Sequence, residues 1–340
     1  MKRQLIYAAA ALILAGCAKE SESLTPTLEK QAFDAWVETH KADSWTQTKL
    51  GSWIIESTEG DSSQPLGSYE SAPFVRLEYT ITNLKGTISS SSREDVAIQL
   101  GTWSNLDWYG PVVSYRAYSI YAGLDEILND MNIGGTCRFA VPGWLLSTET
   151  YSTGEQYNKN VTGNSSAIYD IKVVEAFDDI TEWETQVIRD LVGGDEEMAK
   201  LDTLEEGIYY KCIKPSDNPD TTYSDGASLY VNYVCRRALD YQAVDSNIED
   251  TCRVIRTYVK GNTYEPILVN YDEDYTSMTM TDESSDMIDG FARAIQAMGP
   301  HEKGIVYMIS AYGYSSTGSD NQIPAYCPLV FELEMTDAPE

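Results

Sequence analysis

Two stretches of this chain repeat one rhythm of apolar and polar residues. In "AGLDEILNDMNIGGTCRFAVPGW", from Ala122, and "DGFARAIQAMGPHEKGIVYMISAY", from Asp289, a glycine is followed by apolar residues at i, i+4 and i+7. That spacing predicts a short helix with one apolar face, then a turn and an alternating strand. A shift of 167 positions carries Gly123 onto Gly290, Leu124 onto Phe291, Leu128 onto Ile295 and Met131 onto Met298. Each copy closes on a further strand-like run, "SAIYDIKVVEAF" from Ser166 and "PLVFELEMTD" from Pro328. Each is also preceded by one, "APFVRLEYTI" and "ASLYVNYVCR". A period this long, with strands around one short helix, predicts two related domains and not a solenoid.

Ahead of the first copy, "PTLEKQAFDAWVETHK" places Leu28, Phe33, Trp36 and Val37 near helical spacing, with Thr25-Pro26 as a start. It predicts a helix packed on the body of the protein. Between the copies, "DLVGGDEEMAKLDTLEEG" is charged and glycine-containing and reads as a linker carrying some helix. The expected organisation is a leader over 1–16, a tether over 17–27 and an N-terminal helix over 28–48. A first domain over 49–180, a linker over 181–203 and a second domain over 204–337 complete it. The class is α+β.

Charge narrows the partners. A formal net charge of −29 argues against a sequence-independent grip on nucleic acid or anionic lipid. An apolar content of 42% with 24 tyrosines marks a folded chain, not a disordered one. The N-terminus changes the picture further. Met1-Lys2-Arg3 is a basic start, "LIYAAAALILAG" is an apolar run too short to span as a mature helix, and Cys17 comes next. Leu14-Ala15-Gly16-Cys17 resembles a bacterial lipobox, which implies cleavage before Cys17 and a diacylglycerol on its thiol. Ala18 does not resemble an inner-membrane retention signal, so the outer membrane is the expected anchorage. The acidic Lys19-Glu20-Ser21-Glu22 is similar to the export signals of surface lipoproteins in Bacteroidetes. The remaining cysteines, Cys137, Cys212, Cys235, Cys252 and Cys327, form no C-x-x-C pair and point to no zinc site. Their odd number speaks against a full disulfide framework, though an exported setting leaves a Cys235–Cys252 pair open.

Each repeat unit resembles the FKBP-type peptidyl-prolyl isomerases, and the second carries the clearer match. "MIDGFARAIQAM" resembles the family's V-I-x-G-(W/F)-x-x-A-(L/I)-x-x-M segment. "SAYGYSSTGSDNQIPAYCPLVFELEM" resembles its P-x-x-A-Y-G…I-P ending with a terminal L-(V/I)-F strand. With the lipobox and the N-terminal helix, the tandem is similar to Bacteroidetes lipoproteins of this family. The resemblance implies two FKBP-like domains, each a twisted antiparallel sheet wrapped around one short helix. It implies a pocket in the second domain. Tyr233 and Asp245 take the positions of the pocket tyrosine and aspartate, and Phe291 stands at the floor where many members have tryptophan. Met287 and Ile288 stand at the mouth, with the Ile288 N–H donating to a substrate carbonyl. Tyr314 would supply a hydroxyl to another carbonyl, and Ile323 and Phe331 would complete the apolar wall. No metal or cofactor is implied. The partners are proline-containing polypeptides, together with a membrane reached through the lipid on Cys17.

The two copies depart from the pattern unequally. In the second, some forty residues separate Asp245 from Met287, and an insertion over 247–286 is expected to shape or cover the groove. In the first, Tyr79 fits the pocket tyrosine, but "NLKGTISSSS" offers serines where an aspartate is expected. Leu124 stands at the floor, Ser147 at the place of Tyr314 and Tyr169 at the place of Phe331, and there is no Ile-Pro. The first domain is therefore expected to be non-catalytic.

The chemistry is coherent without the family. Rotation about an X-Pro amide meets a barrier of about 18–20 kcal/mol. An apolar pocket that withdraws the amide carbonyl from water favours the twisted state, and a few fixed donors hold the flanking chain. Rival chemistries have little material. His40 and His301 are the only histidines, which is too few for a multi-histidine metal site, and there is no phosphate loop. A competing class stays open: a surface or periplasmic binding protein that kept the scaffold and lost turnover.

Overall fold

The computed structural model describes residues 26–221, 223–280 and 287–339. The expected leader, residues 17–25 of the expected tether and the candidate lipid site Cys17 lie outside the described residues. The chain divides into two compact units, Met1–Trp103 with Tyr109–Asp179, and Ser104–Trp108 with Ile180–Glu340.

The first unit runs α1 (Pro26–His40), β1 (Thr46–Gln47), β2 (Trp53–Thr58), β3 (Phe74–Asn83) and β4 (Ile88–Ser91). It continues with α2 (Glu94–Leu100), β5 (Val112–Tyr115), α3 (Arg116–Ser119) and α4 (Ala122–Leu128), then β6 (Thr136–Val141), α5 (Gly154–Asn160) and β7 (Ala167–Phe177). Its antiparallel sheet has the order β1-β2-β6-β7-β3-β4, with β5 also on β3. The second unit opens with α6 (Ile180–Val192), α7 (Asp195–Met198), β8 (Asp202–Glu205) and β9 (Ile208–Lys214). Next come β10 (Ser228–Arg237), β11 (Ala243–Ser246), α8 (Glu249–Ile255), β12 (Ile267–Asn270) and β13 (Thr279–Met280). The unit ends with α9 (Asp289–Ala297), β14 (Lys303–Met308) and β15 (Leu329–Thr336). Its sheet has the order β13-β12-β10-β15-β14-β9-β8, with β11 on β10.

The alternation in the sequence explains both sheets. In β7, Tyr169, Ile171 and Val173 are buried while Lys172 faces water, and in β15 Phe331, Leu333 and Met335 are buried between Glu332 and Glu334. This is the period of two of a half-buried strand. The helix on each inner face carries the aligned apolar residues: Leu124 and Leu128 in α4, Phe291 and Ile295 in α9, all buried. The glycine that opens each helix has a steric cause. A Cβ on Gly123 would lie 2.6 Å from Val141 Cγ1, and one on Gly290 would lie 2.5 Å from Met308 Sδ. Only glycine lets the helix lie so close to its strand.

Strand register makes the internal repeat residue-exact. β3 pairs with β7 through Ile81↔Tyr169 and with β4 through Ile81↔Ser90. β10 pairs with β15 through Cys235↔Phe331 and with β11 through Cys235↔Asp245. Tyr169 and Phe331 are therefore counterparts, as are Ser90 and Asp245.

One boundary differs from expectation. The segment expected as a linker over 181–203 is mostly the helix α6 and the short α7, and α6 is built into the second unit. Trp183, Glu184 and Ile188 of α6 are buried, and Ile188 joins Ala238, Tyr307, Ile309 and Val330 in an apolar cluster. Amphipathic spacing outweighs the Gly193-Gly194 pair and the acidic run behind it. α6 is the counterpart of α1, which buries Phe33 and Val37 in the first core while Leu28 stays half exposed. Each unit thus carries its own leading helix. The 247–286 stretch also differs from a simple insertion. β12 pairs with β10 as β5 pairs with β3, and β13 pairs with β12, so the stretch adds two short strands to the sheet. Residues 281–286 lie outside the described residues. The five described cysteines are all free thiols, Cys235 and Cys252 included.

Candidate functional site

β10 is the spine of the site in the second unit. Cys235 faces Phe331 on one side and Asp245 on the other, and Tyr233, two residues away, emerges on the same face of the pleat. α9 lies across that face and delivers Phe291. The three rings form a cluster: Tyr233 meets Phe291 edge-on at 5.8 Å, Phe291 meets Phe331 edge-on at 5.1 Å, and Tyr233 lies 6.2 Å from Phe331. Such ring pairs favour offset and edge-on geometry because of their quadrupoles. Met287, Ile323, Phe291 and Phe331 are buried in the core of this unit, with Tyr233, Ile288 and Tyr314 partly buried against it. Seven of the sequence-expected residues thus share one apolar cluster, and Asp245 joins them through the Tyr233 hydroxyl.

Polar contacts fix the tyrosine. The Tyr233 hydroxyl donates to Asp245 Oδ2 at 2.7 Å, and the Ser246 N–H donates to Asp245 Oδ1 at 2.8 Å. Burial pushes the Tyr233 phenol up, and the adjacent Asp245 carboxylate adds to the shift. Asp245 is exposed as a residue, yet protein packed around its carboxyl raises its pKa from the ordinary value, against the lowering effect of Tyr233 and Ser246. Sequence reading missed the supports behind this pair. Ser246 Oγ donates to the Tyr233 carbonyl at 2.7 Å. Asn247 accepts the Tyr233 N–H at 2.8 Å and donates to the Val231 and Glu265 carbonyls. Arg237, almost fully buried, pairs with Asp240 and donates to the Gln322 carbonyl beside Ile323.

Tyr314 comes just after the 3₁₀ turn Ser310–Tyr312. The loop from Gly313 to Cys327, polar and glycine-rich in sequence, is tied internally. Ser319 and Ile323 exchange both backbone hydrogen bonds, and the Tyr326 N–H donates to the Ser315 carbonyl at 2.9 Å. Burial pushes the Tyr314 phenol up to about 12, so it is protonated and a donor at neutral pH. Among the described residues neither the Tyr314 hydroxyl nor the Ile288 N–H has a hydrogen-bond partner. Ile288 caps α9 in extended conformation, and its carbonyl accepts from Phe291 and Ala292.

The matching positions of the first unit carry other side chains. Leu124 and Tyr169 are fully buried, and Tyr169 stacks on Phe139 at 5.6 Å. The Tyr79 hydroxyl lies 3.3 Å from Ser90 Oγ, where the second unit has a carboxylate. An open cleft of about 280 Å³ does exist in this unit, on the outer sheet face. Glu56, Glu78, Arg93, Arg138, Asp170 and Lys172 line it, and this balanced charge does not suit an apolar amide. The histidines lie apart from the aromatic site: His40 ends α1, and His301 bridges Asp217 and Asp337 at the surface.

Residues 220–336 match the family model described as FKBP-type peptidyl-prolyl cis-trans isomerase. No curated protein matches the chain. Among solved structures, the three FKBP domains of wheat FKBP73 are similar at 17% identity, covering 84% of this chain and 95% of that one, with a TM-score of 0.28. A peptidyl-prolyl cis-trans isomerase from Pseudomonas syringae pv. tomato is similar at 20% identity, covering 48% and 99%, with a TM-score of 0.31. The N-terminal domain of FKBP42 from Arabidopsis thaliana is similar at 14% identity, covering 42% and 93%, with a TM-score of 0.30.

Proposed function

We propose that this chain, whose residues 220–336 match the FKBP-type peptidyl-prolyl cis-trans isomerases, accelerates cis-trans exchange of X-Pro bonds at the aromatic site of its second unit. The observation that carries the reading is the meeting of a three-ring wall, Tyr233, Phe291 and Phe331, with two donors that have no hydrogen-bond partner among the described residues, Tyr314 Oη–H and Ile288 N–H. The proline ring packs on the wall. The Ile288 N–H and the Tyr314 hydroxyl each donate to a substrate carbonyl, as the family resemblance implies. Withdrawal from water disfavours the polar planar amide more than the twisted one and so lowers the barrier, and donors already in place need no reorganisation. No nucleophile takes part. Asp245 acts on Tyr233, holding its ring by the hydrogen bond at 2.7 Å.

The first unit serves as a non-catalytic support or polypeptide-binding module, having Leu124, Tyr169, Ser90 and Ser147 where the second has Phe291, Phe331, Asp245 and Tyr314. The Leu14–Cys17 tetrapeptide supports lipid anchoring at Cys17 in the outer membrane, with exported polypeptides as clients. A protease-coupled assay on a proline tetrapeptide with the full chain tests the activity. Turnover above the uncatalysed rate, lost in the Tyr314→Ala, Phe331→Ala double variant, is expected. A background rate with retained peptide binding would instead leave a binding protein. Labelled palmitate entering the wild type but not Cys17→Ala tests the anchor.

A further inference from the structure

The two leading helices do one job in different ways. In the first unit, Glu29 of α1 accepts from Ser166 N–H at 2.7 Å and from Ser166 Oγ at 2.5 Å, and Ser166 Oγ accepts the Gly143 N–H at 2.9 Å. Gly143 opens a 3₁₀ turn and cannot carry a side chain, because a Cβ would lie 2.1 Å from the Asn164 carbonyl oxygen. In the second unit the counterpart of Ser166 is Pro328, which has no N–H to give. The counterpart of Gly143 is Ser310, and it supplies both donors itself: its N–H to Glu184 Oε2 and its hydroxyl to Glu184 Oε1 at 2.6 Å. Glu184 is nearly inaccessible to water, in α6.

Ser310 also holds the start of the loop that bears Tyr314. Its carbonyl accepts the Gly313 N–H at 2.9 Å and the Ser315 N–H at 2.7 Å, the two residues that flank Tyr314. The Tyr314 carbonyl in turn accepts from Gly318 N–H at 3.1 Å and Thr317 Oγ at 2.8 Å. A continuous set of hydrogen bonds therefore runs from a buried carboxyl on a helix outside the matched family segment to the backbone that presents the site tyrosine. We infer that Glu184 is a positioning residue for the proline site, setting Tyr314 through Ser310; this rests on the proposed isomerase reading of that site. It touches no substrate. Misplacement of a donor by about 1 Å is enough to cost on the order of a hundredfold in rate, so a carboxyl behind the loop governs the donor in front of it.

The test uses the full chain and two readouts. In Glu184→Ala, amide hydrogen exchange at Gly313 and Ser315 is expected to rise at least about tenfold, and kcat/KM on a proline tetrapeptide to fall about tenfold through kcat. Glu184→Gln, which keeps an acceptor for Ser310, restores both to within about threefold. In a Tyr314→Phe background, Glu184→Ala costs less than about twofold more, because the donor it positions is gone. A variant that merely loosens the fold would show its full tenfold loss in that background. Unchanged exchange at Gly313 and Ser315, or full additivity with Tyr314→Phe, overturns the inference. Should Glu184→Ala not fold, Ser310→Ala carries the same readouts with about threefold effects expected. If the wild type shows no turnover, the reading of the site fails, and exchange at Gly313 and Ser315 alone judges the role of Glu184.

Discussion

The two units are built on one plan and differ at the same few places. Both have a leading helix whose glutamate is linked to a 3₁₀ turn, directly at Ser310 in the second unit and through Ser166 in the first, together with a sheet of matching register and a glycine-opened helix across its inner face. Where the second unit has Phe331, Asp245 and Tyr314, the first has Tyr169, Ser90 and Ser147. The difference shows that the frame and the site are separable. The frame is specified by small residues at close contacts and by alternating apolar positions, whereas the proposed site adds Asp245 and Tyr314 where the first unit has serines.

The comparison can be broken most sharply at α6. If that helix is the counterpart of α1 and not a tether, Ile188→Ala costs about 2–5 kcal/mol, as for a buried aliphatic in a core. Urea unfolding followed by near-ultraviolet circular dichroism checks this, and a change under about 0.5 kcal/mol, the size of an ordinary surface substitution, would return α6 to the status of a linker.

A second effect, on the order of 3 kcal/mol, concerns pH. Burial pushes Glu184 up to about 7 from an ordinary value of 4.5. Between those values the folded chain holds a proton that the unfolded chain has released, so stability falls as pH rises from about 4.5 to about 7 and then levels off. Comparing wild type with Glu184→Gln at about pH 4.5, 6 and 8 isolates this contribution, since the other carboxylates are common to both. A difference that does not vary with pH would refute it.

Smaller again is the contrast at the tyrosine. Tyr314→Phe is expected to lower kcat/KM about tenfold, near 1.4 kcal/mol, while Ser147→Ala in the first unit leaves it unchanged. Parallel assays of the two variants decide, and equal losses would deny the units their different roles. The smallest effect lies at the surface. Asp337 and Asp217 hold His301 above its ordinary value. Its contacts are present below that ordinary value and are lost as pH rises through the raised one. A ring-proton titration followed by nuclear magnetic resonance should show Asp337→Asn lowering the midpoint.

Much of this was legible in the sequence, because it rests on period and sterics. The apolar spacing of Phe291, Ile295 and Met298, the alternation in 329–335 and the glycine ahead of each helix fix an amphipathic helix on a half-buried sheet. The pocket positions Tyr233, Phe291, Tyr314 and Phe331 came from the family resemblance. The glycine pair Gly193-Gly194 and the charge after it give α6 the look of a linker carrying some helix. Ile180, Trp183, Val187, Ile188 and Leu191 lie at helical spacing just before, and that signal was available. Ser246 and Asn247 were not legible, since a hydrogen bond to a strand backbone leaves no period. Nor was the Glu184–Ser310 contact, whose partners lie 126 residues apart.

That separation has a consequence for how the protein is made. α6 is synthesised ahead of every strand of its unit, yet its buried glutamate has no partner until Ser310 is delivered, and its apolar cover is complete only when Val330 follows Ala238, Tyr307 and Ile309. Glu29 likewise waits 137 residues for Ser166. Each unit is closed by joining its beginning to its end, a contact of high order that forms late. During synthesis or export both leading helices are exposed amphipathic segments, open to capture by chaperones until the last strand of their own unit has emerged.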